Sequence, residues 1–377
     1  MVAKRKHCLL ICPKFYGYEV LILEELKKYF EDVDVIYENR EWVSLWHRFV
    51  YVYASSRKNK VLDKFYIDTI NKISTDVDTV LIIRGSSLSI TVMEYLKKMY
   101  RESCQYIMYQ WDGVKNNHEI LNIVNLFDDI YTFDIEDSIK YGWRYRPLFF
   151  DSEKVEKRTK DINIAYLCSL HSQRAQVLEK LKVYCNENNL SLYSNMYCNK
   201  LLYFKWKYIG KKPEYRGTNN KDVSFKSLSL EETYKIYSRS RIIVDYTHPN
   251  QTGFTMRTIE ALGNRCKLVT NNQLIKSADF YNPHNVYVYE GTNVEIPLKF
   301  INSEYEDVNK KIYNYNEEKE KYKEENEKNN KKMSSAASAM DNIQVFDEES
   351  GKDINVKADK EEKEDDDDKN SPLKQME

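Results

Sequence analysis

The sequence has no apolar run that approaches the roughly 18 residues needed to cross a bilayer as a helix. Its basic start is followed by an apolar run at residues 8–12 only. That run is shorter than the about 7–15 residues of a signal-peptide core. These absences predict a cytoplasmic protein, with peripheral contact on the inner face of a membrane as the closest membrane association.

Metal and disulfide motifs are also missing. None of the seven cysteines forms a CxxC pair, and most lie within apolar runs. Such cysteines are typical of small buried side chains in a reducing compartment. The two DVD sequences, at 32–34 and 76–78, lie near predicted strand starts and are predicted to be turn residues. We therefore expect no metal site, no metal in catalysis and no bound cofactor.

Neither sign of charge is in large excess, since the formal net charge is −1 over 377 residues. Residues 351–377 hold six lysines and ten acidic residues, which leaves the rest of the chain mildly basic. A dedicated nucleic-acid binder would carry a strong basic stripe or patch. We expect no nucleic-acid partner.

Short apolar runs alternate with amphipathic helical patterns along the first 300 residues, which predicts α/β units with parallel strands covered on both faces. The first half predicts strands at 7–12, 33–37, 79–84, 105–109 and 129–133, with helices at 20–29, 90–100 and 135–141, the last ending at Gly142. The second half predicts strands at 162–170, 190–197, 241–245, 266–270 and 286–289. Its helices are predicted at 174–185, at 231–237 after a capping Ser229, and at 254–262 before Gly263.

A charged segment at 151–161 carries one apolar residue and is predicted to be a boundary that no core uses. This predicts an N-terminal Rossmann-like domain at 1–150, a linker at 151–161 and a C-terminal Rossmann-like domain at 162–316. Two doubly wound domains leave a cleft between them at the carboxyl ends of their strands. Residues 317–377 are predicted to be a charged helical extension and a disordered acidic tail.

The segment 241–270 is the most informative for function. A predicted strand ends at Asp245, a polar turn follows, and a helix is predicted to open near Gly253, where free N–H groups would form an anion site. Arg257 follows one turn later and could approach a phosphate. Glu260 lies about 10 Å along the helix from Gly253, which suits a nucleoside diphosphate with its ribose on the carboxylate. The alternative is that Arg257 and Glu260 form an ordinary surface ion pair.

This segment resembles the donor-binding signature of GT-B glycosyltransferases, especially the group with Glu-x7-Glu in bacterial capsular, exo- and lipopolysaccharide synthesis. Glu260 matches the second glutamate, to which the resemblance assigns the ribose. The first glutamate falls at Thr252, so that half of the signature is missing. The resemblance implies a retaining hexosyltransferase, which uses a nucleotide-sugar donor as co-substrate and a glycan or lipid-linked acceptor.

The first loop of the predicted C-terminal domain carries further candidates. A strand is predicted to deliver Ser169, His171 and Arg174 into the cleft before the next helix. In similar enzymes this loop touches the donor phosphates, and Arg174 is the preferred charge. His171 is a candidate proton carrier, or else an exposed loop residue beside a helix-capping Ser172.

The N-terminal domain offers acceptor-side candidates. Asp112 ends a predicted strand and is a candidate general base or acceptor ligand, or else it starts an Asp-Gly turn. Tyr16 and Gly17 follow the first strand and correspond to an acceptor-side loop, or to a simple turn.

Two stretches mix aromatic and basic residues, at 42–57 and 197–212. They could lie on an anionic membrane, or face the core with snorkelling lysines.

The leading expectation is sugar transfer in cell-surface polysaccharide synthesis. A GT-B-like protein that binds nucleotide sugars or glycans without turnover is the main alternative, favoured by Thr252. A periplasmic-binding-protein-like sensor is a third possibility, and it predicts a secretion signal that the sequence lacks.

Overall fold

A computed structural model describes residues 5–14, 16–38, 55–156, 158–216, 218–248 and 250–307, and two short strands beyond them. Met1–Asn316 form one compact unit and Glu317–Glu377 a second. In the second unit, Gln344–Asp347 and Lys352–Asn355 pair as antiparallel strands. The rest of the predicted tail, and most of the stretch at 42–57, lie outside the described residues.

The first half of the large unit contains a six-stranded parallel sheet with strand order β2-β1-β3-β4-β5-β6. Its interior strand β1, second in this order, is completely buried at Leu9, Leu10 and Ile11, because helices cover both faces. The strands are β1 (Arg5–Cys12), β2 (Phe30–Tyr37), β3 (Thr79–Ile83), β4 (Gln105–Gln110), β5 (Asp129–Thr132) and β6 (Arg144–Tyr145). The helices are α1 (Tyr18–Tyr29), α2 (Ser55–Ile70), α3 (Ile90–Met99) and α4 (Ile135–Tyr141).

The second half contains another six-stranded parallel sheet, with strand order β12-β11-β10-β7-β8-β9. The strands are β7 (Ile162–Ser169), β8 (Leu192–Tyr197), β9 (Val223–Ser224), β10 (Ser240–Asp245), β11 (Lys267–Thr270) and β12 (Val286–Val288). The helices are α5 (Arg174–Glu187), α6 (Lys200–Phe204), α7 (Pro213–Arg216), α8 (Leu230–Arg239), α9 (Met256–Gly263) and α10 (Leu298–Asn302). A single π-helical turn, Lys205–Ile209, continues α6.

The predicted class, two doubly wound α/β halves, is confirmed. Gly142 ends α4 in the left-handed conformation that glycine tolerates, with φ of 69°. Ser229 caps α8 in a capping box with Glu232. Helices α2, α6, α7 and α10 and the short strands β6 and β9 were not predicted. The first DVD sequence lies within β2 and not in a turn, and its Asp34 accepts a hydrogen bond from His7 at 2.9 Å.

Two predicted features of the C-terminal half are wrong in detail. Helix α9 begins at Met256, because the Thr255 hydroxyl caps it by accepting the N–H of Thr258. Gly263 lies inside its last turn and does not end it, since Asn264 is the C-cap with a negative φ. A Cβ on Gly263 would lie 2.4 Å from the Phe150 ring, so glycine is required there for close packing.

The charged segment between the halves is used by the core, contrary to the prediction. Val155 packs against buried residues of the C-terminal half. Lys160 donates to the carbonyl oxygens of Tyr237 and Asn264, each at 3.1 Å. Contacts with the C-terminal half therefore fix the position of this segment, although eight of its residues are charged.

An apolar cluster joins the two halves beside the cleft. Tyr18 and Leu21 from α1 pack against Leu230 and Tyr234 from α8, with Trp111 at the edge. This cluster places the start of α1 opposite the start of α9. It thereby determines which side chains meet in the cleft.

Candidate functional site

A cavity of about 290 Å³ opens between the two sheets. Parts of its wall are Ser169, at the carboxyl end of β7, and Arg257 and Glu260 on α9, while Trp111 follows the end of β4. Parallel α/β sheets bind ligands at the carboxyl ends of their strands. The described residues thus form a cavity where a doubly wound fold places its ligand.

Glu260 is almost completely buried in this wall, with 2% of its surface exposed. Its carboxylate accepts a hydrogen bond from the hydroxyl of Tyr18, which belongs to the opposite half of the unit, and another from Tyr237. Burial raises the pKa of Glu260 to about 7, although the hydrogen bond from Tyr18 and the charge of Arg257 oppose the rise. Near neutral pH the protonated and charged forms of this carboxyl group are therefore of similar free energy.

Arg257 lines the same cavity and pairs with Asp245, not with Glu260. Asp245 is completely buried at the end of β10, and it also accepts hydrogen bonds from the hydroxyls of Thr247, Thr255 and Thr258 at 3.0–3.1 Å. Burial disfavours the charge on Arg257, but Asp245 raises its pKa above the ordinary value. The alternative of a surface ion pair between Arg257 and Glu260 is therefore wrong.

The N–H groups predicted to hold an anion are already used. Asp134, the N-cap of α4, accepts from the N–H of Thr252 at 2.7 Å and of Gly253 at 3.0 Å. Its other oxygen accepts from the Thr252 hydroxyl and from the N–H of Asp137. Thr252 and Gly253 therefore donate to a carboxylate of the other half, and the prediction that they face an open anion site is corrected.

Close packing against Phe133, the residue before Asp134, explains why position 253 is glycine. A Cβ there would lie 2.5 Å from the carbonyl oxygen of Phe133 and 2.6 Å from its ring. The close approach is thus to a neighbouring backbone. Because α9 begins only at Met256, Glu260 is four residues, or about 6 Å, from the helix start.

The predicted acceptor-side loop does reach the cavity. The Tyr16 hydroxyl lies 3.3 Å from the Ser169 hydroxyl across the opening, and both residues line the wall. Gly17 has φ of 104° and precedes α1, which lets the Tyr16 carbonyl accept the N–H of Leu230 at 3.1 Å. Tyr16 and Ser169 are brought together as expected for facing residues of one cleft.

Arg174 and His171 are used differently from their prediction. The buried Arg174 donates to the carbonyl oxygens of Tyr246 and Ser169 at 3.0–3.3 Å, and its Nη1 lies 2.8 Å from His171 Nε2. Burial, together with the charge of Arg174, lowers the pKa of His171 to about 3. His171 is therefore a neutral acceptor whose lone pair is occupied, which contradicts a proton carrier. Arg174 ties the loop to the end of β10 and is not among the cavity wall residues.

Asp112 pairs with Arg84, with Nε and Oδ2 2.8 Å apart. Arg84 holds a left-handed backbone, φ of 71°, and its carbonyl accepts the Gln110 side chain at 2.8 Å. Burial raises the pKa of the nearby Glu38 to about 8, an effect that the charge of Arg84 opposes. Asp112 is not among the residues of the cavity wall, so its role on the acceptor side stays a prediction.

No three His, Cys, Asp or Glu side chains are grouped to hold a metal ion anywhere in the part of the chain that the structure describes. All seven cysteines are buried and free. Among the same residues, no helix combines the length and apolar character needed to cross a membrane.

Solved structures share this arrangement of two sheets around a cleft. Sucrose-phosphate synthase from Thermosynechococcus elongatus has a TM-score of 0.51 at 11% identity, over 77% of this chain and 87% of its own. The chain has a GT-B fold. Further GT-B structures match less well. An alpha-glucosyltransferase in complex with UDP and DNA has a TM-score of 0.47 at 16% identity, over 74% of this chain and 81% of its own. Anabaena HepE with UDP and glucose has a TM-score of 0.44 at 11% identity, over 75% of this chain and 86% of its own.

Sequence comparisons add no closer relationship to this GT-B chain. No protein-family model matches it, and no curated protein matches it. The fold is therefore shown by structure alone.

Sequence reasoning missed Tyr18, Asp134 and Asp245 as partners in the GT-B cleft. Tyr18 and Asp134 lie 242 and 118 residues from their partners Glu260 and Thr252. Only Asp245 gave a local signal, as an acid ending a buried strand in the same segment as Arg257. Its direct pairing with Arg257 depends on the turn that follows β10.

Asp134→Ala tests the link between the halves. The change leaves two N–H groups without their acceptor and removes the cap of α4, so we expect a loss of about 1–3 kcal/mol in the free energy of unfolding. Urea denaturation measures it. Ser229→Ala, which removes only an exposed cap from α8, is the matched control. A loss for Asp134→Ala no larger than that of the control would show that the link contributes nothing.

Proposed function

We propose that the protein is a glycosyltransferase that moves a hexosyl group from a nucleoside-diphosphate sugar to a glycan or lipid-linked acceptor in cell-surface polysaccharide synthesis. One observation carries the proposal. Arg257 and Glu260, one turn apart on α9, line a cavity at the carboxyl ends of strands between two Rossmann-like sheets. A cation and a carboxylate at this spacing suit a diphosphate and its ribose.

The donor contacts follow from the positions of these side chains. Arg257 would neutralise the diphosphate as it becomes the leaving group, while Asp245 fixes its guanidinium. Glu260 would accept the ribose hydroxyls in place of the Tyr18 hydroxyl, which occupies it in this structure. The donor ribose would therefore compete for Glu260 with the Tyr18 hydroxyl, which belongs to the opposite half of the unit.

The acceptor would enter from the N-terminal half. Tyr16 and Trp111 line that side of the cavity and offer aromatic surface for a sugar ring. We assign no metal to the reaction, and retention of configuration rests on the resemblance to the Glu-x7-Glu group. Cytoplasmic location belongs to the same proposal.

A thermal-shift screen with UDP-, GDP-, dTDP- and CMP-sugars, followed by calorimetric titration, tests the donor assignment. At a ligand concentration of about 100 Kd, we expect one donor class to stabilise the protein by roughly 2–3 kcal/mol. Glu260→Gln should weaken that donor roughly tenfold, because the amide has one acceptor oxygen where the carboxylate has two, and its NH2 group can only donate. Glu304→Gln changes an exposed glutamate outside this cavity and is the matched control.

Two results would reject the proposal. In the first, none of the four donor classes stabilises the wild-type protein. In the second, the donor binds Glu260→Gln as tightly as the wild type, which would place it away from the cavity wall.

A protein that binds nucleotide sugars or glycans without turnover is the second candidate. Thr252 stands where the resemblance expects a glutamate, and the N–H groups beside it are held by Asp134. Slow donor hydrolysis distinguishes the two candidates. An enzyme releases sugar from the bound donor, and its Glu260→Ala variant releases it more slowly. A binding protein releases no sugar.

A further inference from the structure

An apolar surface stands out on the C-terminal half, beside the cleft. It comprises six exposed large side chains on α6, the π-helical turn and the residue after β9; we call it the α6 patch. Its members are Leu201, Leu202, Phe204, Tyr208, Ile209 and Phe225. Leu201 and Ile209 are each 80% exposed. Contiguous exposed apolar surface of this kind is typical of an interaction site.

The helical segment turns its apolar side outward. Leu201, Phe204 and Tyr208 recur at spacings of three and four and therefore share one face. Tyr203 is the one buried residue between Lys200 and Ile209. The alternative of a core-facing helix with snorkelling lysines is thus wrong for this stretch.

The patch is held as a continuous surface by ring contacts. Phe204 stacks on Tyr208 with ring centroids 5.9 Å apart, and it lies 6.0 Å from Phe225. Tyr203 anchors the group from below, with its ring centroid 5.5 Å from that of Phe225. The exposed face is therefore part of the folded domain and does not depend on a ligand to form.

Lysines predominate in the patch segment, and its first acidic neighbour on the C-terminal side is Glu214. Residues 198–213 contain five lysines and no acidic residue. Lys207 is used internally, since it donates to the Tyr203 hydroxyl at 2.8 Å. Lys205 and Lys212 lie over the Trp206 ring, at 5.1 and 4.2 Å from its centroid, while Lys200 and Lys211 are exposed. Lysines around an outward apolar face complement an anionic lipid surface.

We propose that the α6 patch docks the protein on an anionic lipid bilayer, with its apolar side chains in the acyl boundary and its lysines among the headgroups. Tyr197 ends β8 in the cavity wall, and α6 begins three residues later at Lys200. Docking therefore holds the cleft next to the membrane surface. That this would present a lipid-linked acceptor rests on the proposed function, whereas the docking itself does not.

Vesicle co-sedimentation of the full chain tests the proposal. The probes are vesicles of phosphatidylcholine alone and of an equal mixture with phosphatidylglycerol. We expect binding to the mixed vesicles that weakens with added salt. Leu201→Ser/Ile209→Ser should lower the partition coefficient roughly tenfold or more, because two apolar side chains no longer enter the lipid.

The control is Ile139→Ser/Val183→Ser, which changes two exposed apolar residues outside the patch and should bind as the wild type does. Lys200→Gln/Lys211→Gln should weaken binding to the mixed vesicles, whereas Lys276→Gln/Lys299→Gln should not. Circular dichroism of each variant checks that the fold is retained, as expected for exposed positions.

Three outcomes would overturn the proposal. In the first, the wild type fails to bind the mixed vesicles. In the second, Leu201→Ser/Ile209→Ser binds them as tightly as the wild type does. In the third, sedimentation velocity shows self-association of the wild type that this variant loses, without vesicle binding by either. That result would assign the patch to a second copy of the chain. None of these outcomes depends on donor binding, so the proposed function is tested separately.

Discussion

Arg257→Met is expected to lower the free energy of unfolding by about 3–5 kcal/mol, because it leaves Asp245 as a buried charge without its partner. Asp245 has no exposed side-chain surface, and its remaining partners are threonine hydroxyls. Those hydroxyls stabilise a carboxylate less than a guanidinium does. Urea denaturation followed by circular dichroism measures the loss.

The design includes a rescue and a matched control. Asp245→Asn/Arg257→Met removes both charges, so it should recover part of the stability that Arg257→Met loses. Arg239→Met breaks the pair with Asp161, which is exposed on both sides, and it should change little. Equal losses for Arg257→Met and Arg239→Met would mean that burial of Asp245 does not matter.

Glu260→Gln is expected to change how stability depends on pH. The ordinary pKa of the carboxyl group is 4.5, and burial raises it to about 7 in the folded chain. At pH values below 4.5, the carboxyl group is protonated in both the folded and the unfolded state, so it does not oppose folding. As the pH rises toward the folded pKa, the unfolded state loses its proton first, so the free energy of unfolding falls. The full change is roughly 3 kcal/mol, at about 1.4 kcal/mol per unit.

Glutamine has nearly the same shape and does not titrate, so the variant should lack this fall. The measured quantity is the difference in unfolding free energy between Glu260→Gln and wild type, at several pH values from acid to neutral. It should move in favour of the variant as the pH rises. A difference that stays constant with pH would exclude a raised pKa for Glu260 in the folded chain.

The fold was predictable because its signals are local. Runs such as residues 8–12 and 79–83 are apolar without alternation, which indicates strands covered on both faces, and β1 and β3 are both interior strands of their sheet. Ser229 and Gly142 identified helix ends through caps that depend on neighbouring residues only. The short strand β6 was missed because its two residues, Arg144 and Tyr145, are exposed and carry no apolar pattern.

The candidate site was only partly predictable, because its side chains choose partners that are distant in sequence. Arg257 and Glu260 were identified from one helix, and both line the cavity. Arg174 has the same charge as Arg257 and follows a neighbouring loop. Its side chain nevertheless points into the protein, because the carbonyl oxygen of Tyr246 accepts two of its N–H groups. Nothing in the loop sequence distinguishes a guanidinium that binds a carbonyl from one that faces a ligand.

The close approach of Gly253 to Phe133 also constrains how this chain can diverge. Even a single methyl group at position 253 would overlap both the backbone oxygen and the ring of Phe133. Replacing Phe133 with a smaller residue would remove the overlap with the ring but not the overlap with its carbonyl. Positions 133 and 253 can therefore change together only if the main chain also shifts. A homologue with a side chain at 253 is expected to differ in backbone path between β5 and α4.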